Sequence, residues 1–144
     1  MADQNFGNHG RIVPLFHFVA STAIVFPFVQ SVIHFSKTLS EGSGRLNAFG
    51  MVSLIAGTGL ALWFARSFAL KAQDRAIRAE ENLRYLAITG KLLDSRLTIQ
   101  QVIALRFTPD NEFVDLAHRA VTENLSSKQI KQAIQHWKGD YYRV

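Results

Sequence analysis

Cysteine is absent from this chain, which excludes disulfides, thiolate nucleophiles and Cys-ligated metals. Charge is absent from two long stretches. Ile12–Ser36 and Leu46–Ala65 contain no Asp, Glu, Lys or Arg. A proton relay or ion-coupled carrier needs ionisable groups inside the membrane, and neither stretch offers one. Glycine-rich phosphate loops are missing too: Gly42-Ser43-Gly44 falls in a turn. No acid–base or nucleophilic constellation appears, so the chain is not expected to be an enzyme. Nor is there a basic helix with base-reading spacing, so nucleic acid is not an expected partner.

What is present divides the 144 residues in two. Apolar residues make up 48%, but residues 12–65 are nearly all apolar or small while residues 66–144 hold most of the charge. The net charge of +5 and pI of 9.9 follow from a positive-inside bias without any polyanionic ligand. As a helix, Ile12–Ser36 would be ~37 Å long, more than the ~30 Å hydrocarbon core. Pro14 stands near its start, where a missing N–H costs nothing. Pro27 lies inside, should bend it, and leaves the Ala23 carbonyl in need of a partner. A cleavable leader is the competing reading, with Val19-Ala20-Ser21 as a conceivable cleavage site. The apolar run continues to Phe35, however, behind only one Arg and one Asp, so an uncleaved span is expected.

Lys37–Arg45 reads as a short polar turn, so the two spans should form an antiparallel hairpin. Lys37 and Arg45 flank the turn, against Arg11, Arg66, Lys71, Arg75, Arg78 and Arg84 on the other side. That asymmetry places both termini in the cytoplasm, with Trp63, Phe64 and Phe68 as an interfacial belt. Ser53, Gly57, Ala61 and Ala65, with Gly50, form a small-residue stripe that lets helices approach closely in lipid. Its nearest partner is the first span; a second copy or a foreign helix is the alternative.

Past Arg66 the helical period continues. Ala69, Ala72, Ala76, Ala79, Leu83 and Leu86 are spaced as a heptad seam, expected to meet either the chain's own C-terminal helices or another copy. Asp74–Arg78 and Glu80–Arg84 have i,i+4 spacing, worth ~0.3–0.5 kcal/mol per pair. Arg66, Lys71, Arg75 and Arg78 are placed to meet anionic lipid headgroups. Thr89-Gly90 ends the rod. Three short helices then follow, over Ile99–Phe107, Pro109–Glu123 and Ser127–Lys138. The first and third open with capping boxes at Thr98/Gln101 and Ser126/Gln129, and the second is capped by Thr108-Pro109.

The expected architecture is therefore all-α: a polar tail (1–11), a transmembrane hairpin (12–70, spans about 12–36 and 46–65), and a cytoplasmic helical domain (71–144). In it the second span continues as a stalk to a small C-terminal helical cap. His17 and His34 are the only candidate cofactor ligands in the spans, ~25 Å apart along one helix and unable to share a metal. Either could touch a pigment or haem at an interface, though the sequence requires no cofactor. His9, His118 and His136 read as exposed.

Gln4-Asn5-Phe6, Asn8-His9-x-Arg11, Val13-Pro14-Leu15-Phe16-His17, the run Arg66–Arg84, Thr89-Gly90-Lys91-Leu92-Leu93-Asp94 and Ile103-Ala104-Leu105-Arg106-Phe107 carry a resemblance. Over essentially its whole length the chain resembles a domain-of-unknown-function family of short, two-span bacterial inner-membrane proteins. The resemblance implies the architecture and transfers no catalytic residue. The expected role is a non-catalytic accessory or scaffold subunit of a larger inner-membrane assembly, respiratory or photosynthetic in type, with other membrane subunits and anionic lipid as partners. A homo-oligomeric channel or transport component, with Gln30 facing the pore, and a pigment- or haem-contacting subunit are the alternatives.

Overall fold

The computed structural model describes residues 4–10 and 12–141. It is helical, with no strand among the described residues. A π-helical segment, Leu15–Ala20, leads into α1 (Ser21–Glu41); α2 (Arg45–Thr89), α3 (Ile99–Leu105), α4 (Asp110–Thr122) and α5 (Ser127–Ala133) follow. The chain divides into two compact units, Arg11–Phe68 and Met1–Gly10 with Ala69–Val144, so α2 contributes to both. Arg11, which the count of flanking basic residues used, lies outside the described residues.

The first unit is a helical hairpin. Its turn is tighter than the polar composition of Lys37–Arg45 implies, because α1 continues to Glu41 and the connection is Gly42-Ser43-Gly44. Two positive φ values, +80° at Gly42 and +74° at Gly44, make that reversal possible, and only glycine takes them without strain. Arg45 closes the turn by donating to the Leu39 carbonyl at 3.0 Å. Pro27 sits within α1, but the departure from α geometry lies upstream, in the π-helical segment, where the Ser21 hydroxyl donates to the Phe16 carbonyl at 3.3 Å. Ser31 and Thr38 are buried and return their hydroxyls to the carbonyls of Phe28 and Phe35, both at 2.8 Å. These bonds let polar side chains occupy an apolar interface without an unmet donor.

The face that α2 gives to the hairpin is not the predicted stripe. Ala48 is buried, and Val52, Ile55, Ala56 and Gly59 are partly buried. A Cβ on Gly59 would lie 3.4 Å from the Ile24 side chain. Gly50, Ser53, Gly57, Ala61 and Ala65 are exposed instead, and a Cβ on Gly50 or Gly57 would meet nothing within 4 Å. Phe35 packs on Phe49 with ring centroids 6.0 Å apart. Such bulky apolar contacts, together with the buried Ala48, set which face turns inward.

The second unit is a helical cap built on the later turns of α2. Its core joins Leu97, Val102, Leu105, Phe107, Phe113, Leu116, Ala120 and Ile130, with Tyr85 of α2 packed edge-on against Phe113 at 5.8 Å. Both capping boxes form. Gln101 goes further, since its side-chain amide also donates to the Leu125 carbonyl at 2.9 Å and so ties the start of α3 to the end of α4. Thr108 does not cap α4: Pro109 takes the N-cap position, and the Thr108 side chain is fully buried. α5 stops at Ala133, short of the expected Lys138, because the Glu112 carboxylate captures the N–H groups of Gln135 and His136 at 3.0 and 3.1 Å. The chain then runs extended, with Lys138 N–H donating to the Phe107 carbonyl at 2.8 Å.

The described part of the tail, residues 4–10, is tied down. The Gln4 side chain makes a two-way bond with the Asp140 backbone, accepting at 2.9 Å and donating at 3.1 Å. His9 is half-buried, packed against Phe107 and Trp137 at centroid distances of 5.8 and 5.7 Å. Residues 4–9 therefore belong to the cap, which a polar, glycine-punctuated composition did not reveal.

Candidate functional site

α2 meets the cap through Arg84. Its guanidinium donates to Asp110 at 2.7 Å, to Glu81 at 3.0 Å and to the Thr108 carbonyl at 2.6 Å, and lies 4.2 Å above the Phe113 ring. Arg78 donates to the Leu97 carbonyl at 2.9 Å. The fork geometry of arginine suits this task, because several fixed donors reach several acceptors at once. The expected i,i+4 pairs do not form. Arg84 bonds Glu81 rather than Glu80, and Arg78 is drawn to the cap backbone rather than to Asp74. The reason is tertiary: the carbonyls of the buried Leu97 and Thr108 compete better than a carboxylate on the helix surface whose reward is a few tenths of a kcal/mol.

The alanine seam is also displaced from the cap. Ile77 and Glu81 are buried, with Gln73, Asp74, Arg78, Asn82, Arg84 and Tyr85 partly so, and these define the covered face. Ala72, Ala76, Ala79, Leu83 and Leu86 are exposed, and Ala69 is partly exposed. At 100° per residue, the two faces are centred on roughly opposite sides of α2.

Beside Arg84 lies a cleft of about 350 Å³ lined by Ile77, Glu80, Glu81, Arg106, Lys138 and Asp140, among others. Burial pushes the Glu81 carboxyl above its ordinary value, and Arg84 opposes that shift. Arg106, also buried, pairs with Asp140 at 3.0 Å. Two pairs of opposite charge thus border the cleft, Glu81 with Arg84 and Arg106 with Asp140. A buried acid in a cleft is a common signature of a functional site. Here the same acid is a ligand of the arginine that joins helix to cap, which accounts for its position. A smaller cleft of about 80 Å³ lies between Tyr85, Leu93, Asp94, Leu97, Ala117 and His118.

In the hairpin, an apolar cavity of about 270 Å³ is lined by Phe16, Ala20, Ser21, Ile24, Val25, Leu62 and Trp63. Arg66 lies 5.3 Å from the Phe16 ring. His17 is exposed, with Nδ1 2.9 Å from the Val13 carbonyl oxygen. His34 and Gln30 are exposed on α1. Lys71 and Arg75 are exposed on α2 and free to meet a headgroup, whereas Arg78 is occupied by Leu97. His118 is exposed, and His136 bonds Glu112 through Nδ1 at 2.6 Å. No cluster of three or more His, Asp or Glu able to hold a metal occurs among the described residues.

Sequence reasoning missed Arg84, Glu81, Glu112 and Gln4 as organising residues. Glu112 alone left a trace, as an acid in the first turn of α4. The other three were legible only as members of a charged face and a polar tail.

A family model described as "Family of unknown function (DUF6526)" matches residues 1–144. No curated protein and no solved structure matches the chain.

Proposed function

Because the chain belongs to the DUF6526 family, whose description assigns no activity, we propose from geometry that it is a non-catalytic scaffold subunit of a bacterial inner-membrane assembly. In this reading Leu15–Glu41 and the first half of α2 cross the bilayer and the cap lies in the cytoplasm. Both helices are long and apolar enough to span, and only 6% of each apolar window is buried in the chain, where the core helix of a soluble protein would be mostly buried. The Gln4–Asp140 bond supports placing the two ends of the chain on one side of the membrane.

One observation carries the scaffold reading. The stripe Gly50, Ser53, Gly57, Ala61 and Ala65 is free of α1, and the Cβ positions of Gly50 and Gly57 face open space. Helices associate in lipid chiefly through close backbone approach, so an open small-residue stripe favours a helix from another subunit. Purification in mild detergent after cross-linking in membranes tests this. The wild type should bring down defined membrane partners and Gly57→Leu should lose them while the cap still melts normally. Recovery of the wild type without partners, or equal recovery by Gly57→Leu, would refute it.

The pigment- or haem-contacting alternative has one observation in its favour. His17 Nδ1 lies 2.9 Å from the Val13 carbonyl and 3.1 Å from the Val13 N–H; in the tautomer that donates to the carbonyl, Nε2 keeps its lone pair, the usual arrangement of a ligating imidazole. Purified protein without a Soret or chlorin band would remove that alternative.

A further inference from the structure

We infer that the heptad face of α2 between Ala69 and Leu86 binds the same face of a second copy, forming a parallel two-helix seam. This goes beyond the scaffold reading: it concerns other residues and a different partner.

The inference starts from which positions the cap covers. With Ala69, Ala76 and Leu83 as position a and Ala72, Ala79 and Leu86 as position d, the two buried residues, Ile77 and Glu81, and the partly buried Asp74, Arg78, Arg84 and Tyr85 fall at b, c and f, while the partly buried Gln73 and Asn82 sit at the flanking e and g. Positions b, c and f are the outer positions of a coiled coil, the ones a partner helix leaves alone. The apolar a and d positions are left open, with Leu83 67% and Leu86 39% exposed. These exposures hold with the chain's own N-terminal segment in place, whose contacts include Asp140, Phe107, Trp137 and Lys131.

Charge selects the occupant and its direction. Arg75 falls at g and Glu80 at the following e. Both are exposed, and neither has an ion-pair partner among the described residues. In a parallel pair, g of one helix faces the next e of its partner, so two copies would make Arg75–Glu80 contacts twice by symmetry. An antiparallel pair would set g against g and e against e, bringing like charges together. If α2 also enters the bilayer, both copies point the same way, which agrees with the direction the charges choose. The four alanines of the seam allow close approach, and the two leucines supply the larger apolar contact.

The absence of native cysteine makes the test direct. Full-length Ala72→Cys, Ala79→Cys and Leu86→Cys, oxidised in native membranes, should each give a disulfide-linked dimer of the chain. Lys71→Cys, exposed at position c, should not. In the Ala79→Cys background, Arg75→Glu or Glu80→Arg should lower dimer yield roughly threefold to tenfold, as two exposed attractions become repulsions. The double exchange Arg75→Glu/Glu80→Arg should restore it. The inference is overturned if the d-position cysteines link only to other proteins or to nothing, if Lys71→Cys links equally, or if the double exchange is as weak as the single ones. Loss of partners through Gly57→Leu leaves these outcomes unchanged, so the two proposals fail separately.

Discussion

Replacing Arg84 by alanine removes the junction between α2 and the cap, and its cost can be worked from the contacts. The Arg84 and Glu81 side chains are only 13% and 9% exposed, so the mutation strands a buried carboxylate. Breaking a buried pair from one side costs ~3–5 kcal/mol. The Asp110 arm adds little, because that side chain is 71% exposed. The Thr108 carbonyl also loses a charged donor, but these losses fall on one network and do not sum. We expect about 3–5 kcal/mol in total, which at roughly 4–8 °C per kcal/mol lowers the cap's melting point by at least about 12 °C. Trp137 fluorescence reports it, in a Trp63→Phe background that silences the hairpin. Arg84→Met/Glu81→Leu, which removes both charges, should recover most of the loss. An Arg84→Ala melting point close to wild type, or a double variant no better than the single, would refute the assignment.

Three further outcomes follow from the cap. The first concerns pH. Burial pushes the Glu112 carboxyl up, but bonds from Gln135 and His136 outweigh it and hold the group below its ordinary 4.5. Its contribution is thus present above pH 4.5 and lost as pH falls through the depressed value. Glu81 acts oppositely: its raised value lets the folded state bind a proton first, so stability falls as pH rises from 4.5 through that value. Urea midpoints from about pH 3 to pH 7 should show Glu112→Gln flattening the acid limb and Glu81→Gln removing the decline above it. Second, Gln101→Ala should cost about 2 kcal/mol in chemical denaturation, since it strands the Leu125 carbonyl as well as the capping box, while Gln129→Ala loses the box alone, about 1 kcal/mol. Equal costs would contradict the tie to α4. Third, the Thr108 hydroxyl is buried without a hydrogen-bond partner among the described residues, so Thr108→Val should leave the melting point unchanged or raise it.

Local chemistry was readable in the sequence, and docking was not. Both capping boxes, the left-handed Gly90 at φ +72°, and the apolar faces of α4 and α5 follow from short-range rules and appear where those rules put them. The stripes of α2 were legible but their occupants were not, because periodicity identifies an apolar stripe without saying what covers it. Ala69–Leu86 was open to the cap or to another copy, and the cap is held by Arg78, Arg84, Ile77 and Tyr85 on the other side. Arginine side chains that bond distant carbonyls have no sequence signature, since the acceptors come from residues 97 and 108. The same limit hid Gln4 and ended α5 early. In both cases a side chain from far along the chain captures backbone groups that local rules leave to water or to the helix.

The Gln4–Asp140 bond spans 136 positions of sequence. A ribosome adding about 5–20 residues per second needs roughly 7–27 s between making the one residue and the other. Throughout that interval the amide of Gln4 has no Asp140 to hold, and His9 has neither Phe107 nor Trp137. The earliest-made piece of the cap must therefore wait for one of the last-made before it can close. Bulk fused ahead of Gln4 would be present at that moment and would compete with the closing step.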